Sequence, residues 1–299
     1  MNILVATDFS DNSRSAVRWG AFFANQLGSD MKLIHVVDLA AGDNAWRILV
    51  ETPEEIEREA LVETREKLEE FFDDCVEERP ESVDFRAVLG SPSDELLAEA
   101  ELVDDPILVV GTRGASRLRE LFLGNTARRL VRSSKYPVIM VPPKAVVSEP
   151  KNLVVGVDFS KPSREAVRRA ALMARTYDAR LHLVYGYVLP EVATFDGTVA
   201  ATAVDSEELI QNKEAALRKM VEEIGAEDVL ASVASLQLPP ARAVTTTAEE
   251  LGAEFIFVGT HGRRGVSRFF LGNTAERVMR EATCAVFVVP VEESNEETD

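Results

Sequence analysis

The chain has 299 residues, 46% of them hydrophobic, and 51 acidic against 33 basic side chains give a net charge of −18. That length and apolar content suit about two domains with a core each. A charge of this sign and size repels nucleic acid and anionic membrane, so neither is expected as a partner.

Ile3 to Thr7 reads as a short, continuously apolar strand. Ser10 stands where it can cap a helix running to about Leu27, with Ala16, Val17, Ala21, Phe22 and Ala24 on its apolar side. Met31 to Val37 is a second strand, and residues 38–50 read as irregular loop. Thr52-Pro53-Glu54-Glu55 is a capping box with proline at the first helical position, opening a long acidic helix. Val83 to Leu89 is a third strand, and Ser91-Pro92-Ser93-Asp94 opens another helix. A fourth strand, Ile107 to Val110, precedes a glycine-rich stretch, a helix near Gly124 to Ser133 and a fifth strand, Val138 to Val141.

The second half repeats this order. Strands are expected near Leu153 to Val157, Arg180 to Tyr187, Val229 to Gln237, Phe255 to Val258 and Ala285 to Val289, with Asp205-Ser206-Glu207-Glu208 capping the long helix. Asn2-Ile3-Leu4-Val5-Ala6-Thr7-Asp8-Phe9-Ser10 returns as Asn152-Leu153-Val154-Val155-Gly156-Val157-Asp158-Phe159-Ser160. The chain is therefore one domain duplicated, with 1–142 and 151–291 as the copies, 143–150 as a proline-bounded linker and 292–299 as an acidic tail expected to be disordered. Alternation of strand and helix implies an α/β fold, a mainly parallel sheet in each copy with helices on both faces.

The most informative stretch is also doubled. Gly111-Thr112-Arg113-Gly114 is followed by Gly124-Asn125-Thr126, and Gly259-Thr260-His261-Gly262 by Gly272-Asn273-Thr274, with the same spacing. Each follows a strand and opens a helix. Glycine lets the backbone approach a ligand closely, and the free N–H groups of a helix start favour an anion such as phosphate. A bare β–α turn would use the same glycines, but two copies at one spacing favour the phosphate reading. In an open parallel sheet ligands bind outside the carboxyl ends of the strands. Asp8 and Asp158 end the first strand of each copy, where a carboxylate can accept from ribose hydroxyls or cap the next helix, a role for which Ser10 and Ser160 compete. Arg113 and His261 match inside the loops and can donate to phosphate; Thr126 and Thr274 offer a hydroxyl to phosphate or a helix cap. His35 and His182 lie on strands and read as core or edge residues.

Other chemistries fail on spacing. There is no GxxxxGK[ST], no GxGxxG after either first strand, no GxSxG and no paired acid and base that argues for hydrolysis. Cys75 and Cys284 have neither CxxC spacing nor a His cluster, which fits a reduced cytoplasmic protein without a metal site. The opening residues carry no basic n-region and no apolar run approaches the ~18 residues of a membrane span, so neither signal peptide nor anchor is expected.

In the Asp-Phe-Ser ending of the first strand, in Ile34-His35-Val36-Val37 and in the glycine stretch, the chain resembles the universal stress proteins, in the tandem form with two fused domains and in the ATP-binding branch. The resemblance covers nearly the whole chain. It implies two Rossmann-like domains, similar to the adenine-nucleotide α-hydrolases, each with five strands in the order 3-2-1-4-5. It implies a stress-response regulator or sensor that binds ATP or AMP, with magnesium as a further partner and without fast catalysis. Asp8 and Asp158 would then meet ribose or adenine, the backbones of Val36 and Val184 the adenine edge, Ala6 and Thr7 with Gly156 and Val157 the base, and Val110 and Val258 the underside of the ribose. Where the family has Ser or Thr after the third glycine, this chain has Asn125 and Asn273. The family's Gly-x-Pro turn after the third strand is kept as Gly90-Ser91-Pro92, but becomes Leu238-Pro239-Pro240, which must turn differently because leucine resists positive φ. Both copies are expected to bind, and to pair through their fifth strands as an internal pseudo-dimer, with two chains associating as a homodimer. An interaction module of the same fold that binds no nucleotide is the alternative, with a slow ATP hydrolase behind it.

Overall fold

The computed structural model describes residues 2–37, 52–114, 123–143, 145–188, 192–193, 199–200, 206–260 and 271–290. The chain divides into two compact units, with the break between Val147 and Ser148. The loop expected at 38–50, the cap at Asp205, the acidic tail, and His261 and Gly262 lie outside the described residues.

In the first domain β1 (Asn2–Ala6), α1 (Asp11–Leu27), β2 (Asp30–Val37), α2 (Pro53–Asp73), β3 (Val83–Leu89), α3 (Pro92–Glu101), β4 (Pro106–Gly111), α4 (Asn125–Ser133) and β5 (Val138–Val141) follow in turn. The strands are parallel, in the order β3-β2-β1-β4-β5. Sheet order explains the unbroken apolar runs: Ile3, Leu4 and Val5 are covered on both faces and at most 1% exposed. Two crossovers run outward from β1 through α1 and α2, and two run back through α3 and α4; with the right-handed sense such connections take, this places one helix pair on each face. β1 and β4 are thereby neighbours, and the chain reverses direction between them.

Local chemistry sets the ends of these elements. The Thr52 hydroxyl accepts from the Glu55 N–H and the Glu55 carboxylate accepts from the Thr52 N–H, the expected capping box. Ser10 stands at the N-cap of α1, but its hydroxyl donates to the Asp8 carboxylate and caps nothing; this corrects the expected cap. Ser91 likewise sits at the N-cap of α3 without a side-chain bond, and Pro92 follows at the first turn as expected. α1 buries Ala16, Val17, Trp19, Ala21, Phe23 and Ala24, and the Trp19 and Phe23 rings stack at 5.5 Å. α3 is tied to the sheet by Glu99, only 5% exposed, which takes Lys32 Nζ at 2.9 Å and Arg86 Nε at 3.1 Å.

The second domain comprises β6 (Asn152–Gly156), α5 (Lys161–Tyr177), β7 (Arg180–Gly186), β8 (Val192–Ala193), β9 (Val199–Ala200), α6 (Ser206–Ile224), β10 (Leu230–Leu236), α7 (Pro240–Leu251), β11 (Phe255–Gly259), α8 (Asn273–Glu281) and β12 (Ala285–Val289). Its parallel sheet has the same order, β10-β7-β6-β11-β12, while β8 and β9 form an antiparallel ribbon that the sequence does not announce. His182 is a core residue, as expected from its strand, with Nδ1 2.8 Å from the Ser232 hydroxyl and Nε2 3.3 Å from Asn152 Oδ1. Burial, seconded by the charge of Arg180, lowers its pKa and favours the neutral ring.

Candidate functional site

The site is built at the carboxyl ends of β1 and β4. The Thr7 N–H extends the β1–β2 ladder by donating to the Ile34 carbonyl at 3.0 Å. The Thr7 hydroxyl lies 2.8 Å from the Ser13 hydroxyl and accepts from the Phe9 N–H at 3.0 Å. The Ser10 N–H donates to Asp8 Oδ1 at 3.1 Å. These bonds fold the chain sharply and leave Phe9 at φ 61, a conformation that strains a bulky side chain and occurs where the surroundings over-determine it. The turn holds the Asp8 carboxylate at the exposed rim.

The glycine segment closes against that turn. The Thr112 N–H donates to Val141 at 2.9 Å and the Gly124 N–H to Thr112 at 2.8 Å, so the two ends of the stretch meet. The Asn12 amide donates to the Gly114 carbonyl at 3.2 Å. A Cβ on Gly114 would lie 2.8 Å from Asp8 Oδ2, so glycine is what permits the carboxylate to lie against the loop. Gly124 is the N-cap of α4 and brings no side-chain cap, so the first N–H groups of that helix face outward without an intrahelical partner.

A cavity of about 340 Å³ opens here. Its lining includes Ala6, Thr7, Asp8, Val36, Val110, Gly111, Arg113, Gly114, Gly124, Asn125 and Thr126, which are all the first-copy residues singled out from sequence. Ser13, Ile34, His35, Pro92, Leu96 and Ala127 complete it. His35, expected from its strand to be a core or edge residue, also forms part of the cavity wall. Its Nδ1–H donates to the Thr7 carbonyl at 2.8 Å, and its ring packs on Phe9 with centroids 4.4 Å apart. Burial lowers the His35 pKa against the opposing pull of the Thr7 carbonyl and Asp8, which keeps the ring neutral. The strand position next to Asp8 was the available signal, and it becomes readable only once β1 and β2 are known to be adjacent.

This crevice, with its doubled sequence pattern, is matched by a model of the universal stress protein family over residues 1–142 and again over 149–290. The chain belongs to the universal stress protein family. A universal stress protein of Methanocaldococcus jannaschii is 35% identical over 144 residues, 46% of this chain and 81% of that protein. One of Mycolicibacterium smegmatis is 27% identical and covers 96% of both chains, so the tandem form is shared. A crystal structure of a universal stress protein from Archaeoglobus fulgidus superposes with a TM-score of 0.66 over 97% of this chain and 98% of its own, at 24% identity, and supports the fold.

The second universal stress protein domain repeats the scaffold. The Val157 N–H donates to Val184 at 2.9 Å, the Ser160 N–H to Asp158 Oδ1 at 3.0 Å, and Phe159 sits at φ 66. The Gly272 N–H donates to Thr260 at 2.8 Å, and Gly272 caps α8 without a side chain. Val258 and Gly259 end β11, with Gly259 packed against Pro162; Asn273 and Thr274 begin α8. One pairing from sequence does not hold in register. Gly156 lies opposite Val184 as Ala6 lies opposite Ile34, so Val184 corresponds to Ile34, and Val36 corresponds to Gly186. The turns after the third strands differ as expected: Gly90 has φ 141, whereas Leu238 stays out of positive φ and donates to Leu236 at 2.8 Å.

Among the described residues no cluster of three or more His, Cys, Asp or Glu side chains is placed to hold a metal ion, and no helix is long and apolar enough to cross a membrane.

Proposed function

We propose that the first domain binds an adenine nucleotide, ATP or AMP, and that the protein acts as a nucleotide-dependent regulator or sensor in the cytoplasm. The observation that carries this reading is one cavity holding the Asp8 carboxylate, the glycine loop and the uncapped start of α4 together. Asp8 accepts from the ribose hydroxyls. Gly111 and Gly114 let the loop backbone lie against the phosphates, and the N–H groups of Asn125 and Thr126 donate to them. Arg113 adds positive charge beside the phosphates. The apolar wall of Ala6, Ile34, Val36 and Leu96 takes the base. Adenine as that base rests on family membership and on the backbone edge of β2. Magnesium enters as the companion of a triphosphate, with the Asn125 amide and Thr126 hydroxyl as the neighbouring side chains. Among the described residues no general base and nucleophile are paired in the cavity, which fits a sensor better than a hydrolase. Pairing of the two domains as a pseudo-dimer, and of two chains as a homodimer, belongs to the same proposal.

Thermal unfolding with ATP or AMP, with and without magnesium, tests it. A ligand at 100 times its dissociation constant adds about 2.7 kcal/mol. A rise in midpoint with one or both is expected; no rise with either overturns the reading and leaves an interaction module of the same fold.

A further inference from the structure

We infer that the second domain has lost its base pocket and that the chain takes up one nucleotide, in the first domain. This rests on the nucleotide reading above and adds where the ligand goes. The two domains share the Asp-Phe-Ser turn and the loop closure, so the difference lies on the opposite wall. In the first domain Val36 carries a full side chain on β2 and lines the cavity beside Pro92, the first residue of α3. The second domain places Gly186 at that register, and even a single Cβ there would lie 2.6 Å from Pro240 Cα and 2.9 Å from Ala243 Cβ. Where Val36 has three side-chain carbons between strand and helix start, the second domain has room for none.

The closure extends along the helix. Ala6 presents its methyl to the first cavity, but a Cβ on Gly156 would stand 2.9 Å from Val244 Cγ2. α7 packs against β6, β7 and β11, whereas α3 packs on β2 and β4. Two features of sequence let α7 come closer. Leu238 cannot take the φ of 141 that Gly90 uses, so the chain turns at once into Pro239 and Pro240. The helix then buries Ala241, Ala243, Val244, Thr245 and Ala248, where α3 buries Ser93, Leu96, Glu99 and Ala100, so Val244 stands where α3 has the larger Leu96. The space that would hold a base in the second domain is occupied by its own helix.

Equilibrium dialysis of the full chain against radiolabelled ATP, and separately AMP, at saturation gives the stoichiometry. One nucleotide per chain is expected, and Asp8→Ala should weaken that binding at least tenfold. Photo-crosslinking with 8-azido-ATP followed by peptide mapping should label only peptides of residues 1–142. Two nucleotides per chain, or label on second-domain peptides, or a single binding event that Asp8→Ala leaves intact, overturns this inference while the nucleotide reading stands. No binding at all overturns both.

Discussion

Gly114→Ala probes the site without touching the core. Gly114 has no positive φ, so alanine costs nothing in backbone conformation. Its new methyl would lie 2.8 Å from Asp8 Oδ2, at the tip of an exposed side chain. Ordinary contact needs ~3.5 Å, so the carboxylate retreats by roughly 0.7 Å. A hydrogen bond of ~2.9 Å stretched by that much is no longer one. Losing a bond to a charged acceptor costs about 1.5–3 kcal/mol, or about 10- to 150-fold in Kd. The free protein should lose less stability than the complex, because the change lies at the surface and leaves the core packing untouched. Isothermal titration calorimetry on Gly114→Ala, Asp8→Ala and the double variant closes the cycle. If the methyl acts through Asp8, its effect vanishes in the Asp8→Ala background. An undiminished Gly114→Ala effect in that background would refute the reasoning and make the loop backbone itself the contact.

Glu99→Gln should destabilise the first domain by roughly 1.5–3 kcal/mol, since it removes the charge facing Lys32 and Arg86 from a buried position. Burial pushes the Glu99 carboxyl up, but its bonds to Lys32 and Arg86 outweigh this and hold it below the usual range. A depressed folded pKa means stability is fully present above the unfolded value of about 4.3 and is lost as pH falls through the folded one. Urea midpoints between pH 3 and 7 should therefore fall less steeply on the acid side in Glu99→Gln. Trp19→Ala empties the largest fully buried side chain among the described residues and should cost about 3–5 kcal/mol in the same urea assay. Burial pushes the Cys284 thiol up to about 12 and raises Cys75 as well, so at pH 8 both should react with iodoacetamide more slowly in the folded protein than in urea.

Much of the fold was legible because its causes are local. Continuous apolar runs mark strands covered on both faces, and Thr52 with Glu55 marks a helix start within four residues. The first-copy site residues were legible for a similar reason: Asp8 and the glycines each end a strand, and sheet order brings those ends together. His35 was not, because its place in the wall depends on which strand lies beside β1. Phe9 was not either, since nothing in the sequence prefers phenylalanine at positive φ; the bonds to Thr7 and Asp8 impose it. Leu238 was legible as a changed turn, but its consequence was not. How far a helix start settles onto a strand depends on side-chain volumes across the whole contact, here Ala241, Ala243 and Val244 against Gly156 and Gly186.

The duplication separates what the scaffold needs from what a ligand needs. Both domains keep a phenylalanine at φ 61 or 66, a carboxylate bonded to the serine two residues on, and a glycine N-cap closing on a threonine carbonyl. These features occur in both copies alike, so they are properties of the strand–turn–helix joint. Strain at the Asp-Phe-Ser turn thus marks this fold's joint and is no evidence for binding by itself. Discrimination falls to the wall that the two copies do not share. With Gly90 the chain can step away from the sheet before α3 begins, and Val36 and Leu96 border open space; with Leu238 it cannot, and Pro240 lies on Gly186. The turn after the third strand and the side chains of the helix that follows it thereby separate the two copies of one scaffold.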